Sequence, residues 1–173
     1  NAYEKAKECV ELIHHHGPSF ITDRIYSLIA EVLTEIGNFK DALKSIENIE
    51  DQDVAHRGTG IVLAKSGDID GALEQAKQIT TGSKEYPETL LEIYKINNDP
   101  AVLQQAFEMA KIVNSIEFRA IILTDLYELT KDPAMLNEAL NSAALMDDDW
   151  GDQKFEHIMK IYKISKDPAV LEL

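Results

Sequence analysis

The chain has 173 residues, of which 45% are hydrophobic and 28% are charged, proportions typical of an ordinary soluble globular protein. A net charge of −14 argues against nucleic acid or an anionic membrane as a partner, because both attract cationic proteins. The single cysteine, Cys9, excludes an internal disulfide framework, and no signal peptide or membrane-spanning run is visible, so we predict a cytoplasmic location.

Apolar residues recur at the spacing of amphipathic helices from the start of the chain. The first helix is predicted over residues 2–15, with Ala2, Ala6, Cys9, Val10 and Ile13 on one stripe. The next helix is predicted to end at Gly37, where a left-handed cap would close it. Its apolar stripe is predicted to consist of Ile21, Ile25, Leu28, Ile29, Val32, Leu33 and Ile36.

The same helix–turn–helix pattern then repeats along the chain. Gly37 and Gly67 are 30 residues apart, as are Ala42 and Ala72. Each connection is short, which places neighbouring helices antiparallel, and no strand-like alternation is present. The predicted units are 1–17 (partial), 20–50, 53–80, 84–113, 116–145 and 150–173 (partial).

The second half of the chain repeats a helix start rather than a glycine turn. Asp-Pro occurs at Pro100, Pro133 and Pro168, spaced by 33 and 35 residues. Asp caps free N–H groups at a helix start, and Pro is favoured at the first helical position. A recurring helix start at this period is typical of stacked helix pairs. We therefore predict an all-α protein: a right-handed α-solenoid of about five antiparallel helix pairs, a single domain over 1–173 belonging to a longer array.

Two stretches carry a resemblance to a known family. Gly37-Asn38-Phe39-Lys40-Asp41-Ala42-Leu43 and Gly67-Asp68-Ile69-Asp70-Gly71-Ala72-Leu73 resemble the inter-helix turn of a tetratricopeptide repeat. Aligned on these turns, Tyr94, Tyr127 and Tyr162 match the family's packing tyrosine, and Leu90, Leu123 and Ile158 match its preceding leucine. The copies are degenerate, since the family's terminal proline is missing. A HEAT-type or other helical-hairpin array is the open alternative, and these residues belong to the core in either case.

The resemblance implies a concave groove lined by the first helix of each repeat. The predicted groove residues are Arg24, Glu31, Arg57, Glu85, Glu88, Glu92, Lys95, Asp125 and Glu128. Further positions on the same faces are Ser27, Glu35, Ile61, Lys65, Glu156, Lys160 and Lys163. The middle of this groove is acidic, which favours a basic protein segment or peptide as partner. The predicted function is a non-catalytic protein–protein interaction scaffold; the alternatives are a structural spacer or assembly segment of a larger protein, and a helical ligand-binding domain.

The residues with catalytic or metal-binding chemistry have simpler explanations. Three consecutive histidines, His14–His16, point about 100° apart on a helix and cannot converge on one ion. The acidic run from Asp147 to Asp152 fails the EF-hand spacing and fits a helix cap. Cys9 and His16 lie roughly 10 Å apart along a helix, too far for a thiolate–imidazole pair. We therefore predict no enzyme activity, no metal and no cofactor.

Overall fold

The computed structural model describes residues 19–146, 151–166 and 170, and within these residues the protein is all-helical, with nine helices and no strand. The helices are α1 (Ser19–Glu35), α2 (Phe39–Ile46), α3 (Gln52–Ser66), α4 (Ile69–Ala76), α5 (Glu85–Asn97), α6 (Pro100–Lys111), α7 (Ile116–Thr130), α8 (Pro133–Ala144) and α9 (Gly151–Ser165). The predicted all-α class is confirmed. The helix predicted over 2–15, the histidine run, the Cys9–His16 pair, Asp147–Asp149 and the last Asp-Pro pair lie outside the described residues.

The chain divides into two compact units. Unit 1 is Asn1–Thr80 with Glu92–Asp99, and unit 2 is Thr81–Leu91 with Pro100–Leu173. In unit 1, α1 contacts α2 and α3, and α3 contacts α2 and α4. In unit 2, α7 contacts α6, α8 and α9, and α8 contacts α9. Within each unit, therefore, these helices pack mainly on those next or next but one along the chain.

Polar side chains fix where the helices begin. The side-chain oxygen of Asn38 accepts the N–H of Asp41, and that of Asp68 accepts the N–H of Gly71. Asp132 does the same for Ala134 at the start of α8, directly before Pro133. Each cap satisfies an N–H group that has no partner within its own helix. The predicted Asp-Pro start is thus confirmed at Asp132-Pro133, whereas the caps by Asn38 and Asp68 were not predicted.

The first helix of each predicted pair ends at a residue with positive φ. In unit 1 this residue is Gly37 (φ 76°) or Gly67 (φ 97°). The later helices α5, α7 and α9 end instead at Asn98 (φ 54°), Lys131 (φ 58°) and Lys166 (φ 58°). In these three, the N–H of the left-handed residue donates to the carbonyl of the tyrosine four positions earlier, at 2.7–2.8 Å. The tyrosines aligned with the family's packing position therefore also close their helices.

The core of unit 1 is a cluster at the contact of α1, α2 and α3. Its buried members are Tyr26, Ala30, Leu33, Ala42, Ile46, Ile49 and Val62. In unit 2 the fully buried residues include Leu123, Leu126, Ala139, Ala143 and Ile161. Ala42 and Ala72, like Ala139 and Ala143, are completely covered, which is expected where helices approach closely. Tyr127, Leu90, Leu123 and Ile158 are also buried, as predicted. Tyr94 and Tyr162, predicted as core residues too, are only half-buried.

The predicted apolar stripe of α1 is wrong in part. Val32 and Ile36 are 62% and 70% exposed, and Ile21 and Leu28 are exposed as well. The buried face instead carries Thr22, Asp23, Tyr26, Ala30, Leu33 and Thr34. Apolar residues surround most of this helix, so periodicity shows that it is a helix without showing which side packs. The small Ala30 and the hydrogen-bonding Asp23 lie on the side that meets α2 and the α2–α3 loop.

Polar contacts between helices repeat every 30 residues. Ser45 Oγ donates to the Tyr26 carbonyl at 3.0 Å, and His56 Nδ1 and Gln75 Oε1 share a hydrogen bond at 2.9 Å. Gln105 Nε2 donates to the Tyr86 hydroxyl at 3.1 Å. Each pair is separated by 19 residues in the chain. The repeat visible in the turns therefore also governs the contacts within the first three helix pairs.

Asp23 and Asp53 form a second 30-residue repeat, one that sequence reasoning missed. Asp23 is buried and accepts the N–H groups of Glu50 and Asp51 at 2.9 and 3.0 Å. Asp53 accepts the N–H of Thr80 at 2.9 Å. Each carboxylate reaches from the first helix of a pair to the loop that follows the second. The signal in the sequence was the 30-residue spacing of the two aspartates, equal to that of Gly37 and Gly67.

Candidate functional site

The candidate site is a cavity of about 400 Å³ in unit 1, lined mainly by α1 and α3. These two helices are the first members of successive predicted pairs, and they contact each other directly. An ion pair between Lys65 Nζ and Glu35 Oε1 joins their C-terminal ends. Because this pair spans 30 residues, Ile61 is expected opposite Glu31, and Arg57 opposite Ser27. The cavity volume lies within the range of ordinary ligand pockets.

The lining of the cavity is mixed: six apolar residues, six charged residues, and Ser27, Thr34 and Gly58. The apolar lining residues are Leu28, Ala30, Ile46, Val54, Ile61 and Val62. The charged ones are Arg24, Arg57, Lys65, Glu31, Glu35 and Glu92. A lining that mixes apolar side chains with charges of both signs suits a peptide or small molecule that carries both kinds of group.

Gly58 has a structural role at the wall of this cavity. A Cβ added at Gly58 would lie 3.1 Å from Cδ1 of Ile46, closer than ordinary packing allows. Its lack of a side chain therefore lets α3 approach α2. Ser27 lies on the opposite wall, and its Oγ is buried without a hydrogen bond to the described residues.

The structure brings four of the nine groove residues predicted from the sequence together around this cavity. They are Arg24, Glu31, Arg57 and Glu92. The further predicted positions Ser27, Glu35, Ile61 and Lys65 line it too. The prediction lacked Leu28, Ala30, Thr34 and Val54, although Leu28 lies one helical turn from Arg24 and from Glu31, so the same face could have indicated it.

Ion pairs neutralise part of the charge in the lining. Glu35 pairs with Lys65, and Glu92 Oε1 accepts from Lys95 Nζ at 2.6 Å. The side chains of Arg24 and Glu31 are exposed and make no hydrogen bond or ion pair with other residues that the structure describes. The lining therefore holds three cations and three anions, and it is not an acidic surface.

The remaining acidic residues of the predicted groove belong to unit 2. Glu85 lies 4.0 Å from Lys84 Nζ and accepts a hydrogen bond from Ser83. Asp125 Oδ1 pairs with Lys160 Nζ at 2.7 Å, a contact between α7 and α9 that joins two predicted groove positions. Glu88 is half-buried and Glu128 is exposed. Much of the acidity read from the sequence is thus balanced by nearby lysines.

The part of the chain that the structure describes contains neither a metal-binding group of side chains nor a membrane-spanning helix. No group of three or more histidine, cysteine, aspartate and glutamate side chains is placed to hold a metal ion there. None of the helices there has the length and apolar character needed to cross a membrane.

No protein-family model, curated protein or solved structure matches the chain.

Proposed function

We propose that the protein is a non-catalytic interaction scaffold, built as a right-handed α-solenoid of tetratricopeptide-like helix pairs. The support for this architecture is the order of helix contacts within each unit and the polar contacts that recur every 30 residues. In such an array each pair buries its apolar face against its neighbours, which leaves the first helices to form a binding surface.

The observation that supports binding is the cavity between α1 and α3. It lies on the helix faces that a tetratricopeptide array uses for partners, and its lining combines apolar surface with charges of both signs. These features suit an extended segment of another protein, which presents alternating side chains and backbone groups to a groove. We propose that this segment is basic overall, because the whole protein carries a net charge of −14.

Isothermal titration calorimetry with a panel of basic peptides containing apolar residues tests this function. Glu92→Lys should weaken binding of the tightest peptide by about tenfold, because it places a cation at the cavity wall. The matched control is Glu74→Lys: Glu74 also pairs with a lysine three positions later, at the same 2.6 Å, but lies outside the cavity. Equal affinities of the two variants, or no binding by any peptide, would reject the proposal.

A structural assembly role is the second candidate, and one observation favours it. Ile21, Leu28, Val32 and Ile36 form an exposed apolar stripe on α1, a feature that marks interaction surfaces. In this role, a second copy of the chain would cover the stripe. Sedimentation velocity should then show a concentration-dependent dimer that Val32→Glu abolishes and Glu47→Lys leaves unchanged. A monomer at every concentration would reject this role.

A further inference from the structure

The charges in the lining of the unit 1 cavity are arranged in a definite order. Along α1, Arg24 comes first, Glu31 follows seven residues later, and Glu35 is already paired with Lys65. On α3, Arg57 lies opposite Ser27 if the helices keep the 30-residue offset set by the Glu35–Lys65 ion pair. The cavity is therefore cationic toward the start of the two helices and anionic around Glu31.

We propose that this cavity binds an extended peptide segment carrying an acidic residue and a basic residue in a fixed spacing. The acidic side chain contacts Arg24 and the basic one contacts Glu31. An apolar side chain between them lies against Leu28 and Ile61. This inference rests on the proposed scaffold function and specifies the partner: a segment that is basic overall but contains one acidic residue at a required position.

The spacing follows from helix geometry. Seven residues of α-helix rise by about 10.5 Å, at 1.5 Å per residue. A polyproline II segment advances about 3.1 Å per residue and returns to the same face every third residue, about 9.3 Å along. Two side chains three positions apart in such a segment therefore match the separation of Arg24 and Glu31. In a β-strand the third residue points to the opposite face, so that conformation fits less well.

The pairing within the lining explains why a uniformly basic segment is disfavoured here. Of the three lining glutamates, Glu35 and Glu92 are already bound by lysines. Glu31 remains as the anion with no partner among the described residues, whereas Arg24 would repel a second lysine. Like charges placed together across an interface suppress the wrong partner. The cavity thus selects a charge order in the segment and not merely a positive charge.

Synthetic blocked peptides test the inference by titration calorimetry. The first is a basic peptide with the core Glu-Leu-Pro-Lys. In the second, lysine replaces the glutamate, and in the third the glutamate and lysine of the first are adjacent. We expect the first peptide to bind about tenfold more tightly than either of the others.

Two charge reversals locate the contacts. Arg24→Glu should weaken the first peptide about tenfold and strengthen the all-lysine peptide, while Glu31→Lys should weaken both. The matched controls are Lys40→Glu and Glu47→Lys, exposed positions of unit 1 that lie outside the cavity lining, and these should leave all affinities unchanged. Circular dichroism of each variant checks that the helices are retained.

The outcomes separate this inference from the proposed function. If the all-lysine peptide binds as tightly as the first, or if Arg24→Glu behaves like Lys40→Glu, the charge order is wrong and the scaffold proposal stands. If no peptide binds, both are rejected. If the third peptide equals the first, the spacing is wrong, and the inference is overturned as stated.

Discussion

The turns that follow α1 and α3 and the turns that follow α5, α7 and α9 end their helices in the same backbone conformation but with different residues. All five helices end at a residue with positive φ, so the backbone reverses in the same way. After α1 and α3 that residue is a glycine, for which the left-handed conformation carries no steric cost. After α7 and α9 it is a lysine, for which the same conformation costs roughly 1–2 kcal/mol.

The hydrogen bonds of the two kinds of turn differ as well. At Gly37 and Gly67 two carbonyls are satisfied, one by the glycine N–H and one by the N–H of the residue after it. At Lys131 the lysine N–H bonds the Tyr127 carbonyl, and Asp132-Pro133 then starts the next helix. Proline restricts the unfolded chain, which offsets part of the cost of the strained lysine. Similar turns can therefore form with or without glycine, provided that a cap and a proline stabilise the start of the next helix.

Core truncations should show the largest effects and should not distinguish the two regions. Tyr26 in unit 1 and Tyr127 in unit 2 are 5% and 8% exposed, so each is a core residue of one region. Changing either to alanine should lower the free energy of unfolding by about 3 kcal/mol, measured by chemical denaturation. Lys95→Ala, an exposed control, should change it by less than about 0.5 kcal/mol. A small loss for Tyr127 alone would mean that the two regions differ in their cores as well as in their turns.

Removal of the Asp23 or the Asp132 carboxylate should lower the free energy of unfolding by different amounts in the two regions. Asp23→Ala leaves two backbone N–H groups without an acceptor and should cost about 2 kcal/mol. Asp132→Ala removes an exposed cap with one N–H partner and should cost about 1 kcal/mol. Urea denaturation of both variants measures the difference. A larger loss for Asp132 would show that the Asp-Pro start matters more than the buried bridge.

Exchanging the turn residues tests the comparison directly. Gly67→Ala should lower stability by about 1 kcal/mol, because alanine is strained at φ 97° although no atom lies within 4 Å of its new Cβ. Lys131→Gly should raise stability by about 0.5 kcal/mol, since relief of strain exceeds the loss of an exposed cation–π contact at 5.5 Å from Tyr127. Thermal unfolding monitored by circular dichroism measures both. A destabilising effect of Lys131→Gly would contradict the claim that a lysine is strained in the left-handed conformation.

The smallest effect is expected on the exposed stripe of α1. Val32→Ser changes a side chain that is 62% exposed and should alter the free energy of unfolding by less than about 0.5 kcal/mol. Leu33→Ala, one residue away on the buried face, should cost about 2 kcal/mol or more. Denaturation of the two variants at low protein concentration measures this contrast. Equal losses of stability would mean that Val32 and Leu33 are both buried, as the apolar stripe predicted from periodicity requires.

The sequence by itself determined the helical class, the positions of the turns and most of the small core residues. These features depend on local chemistry: Asn38, Asp68 and Asp132 cap helices, glycine adopts the left-handed conformation, and alanine at a 30-residue period marks where helices cross. The faces that line the cavity were also predictable in part, since helical periodicity places Arg24, Ser27 and Glu31 on one side of α1.

Only the tertiary structure decided which side of α1 is buried, which acidic groups are paired, and that Asp23 bridges to the next loop. A helix that is apolar on most sides has no preferred face until its neighbours are in place. Likewise, an ion pair such as Glu35–Lys65 joins residues 30 positions apart, and its partners are chosen by the packing of α1 on α3. Local sequence fixes how each helix begins and ends, whereas the charge that a partner meets depends on contacts between helices.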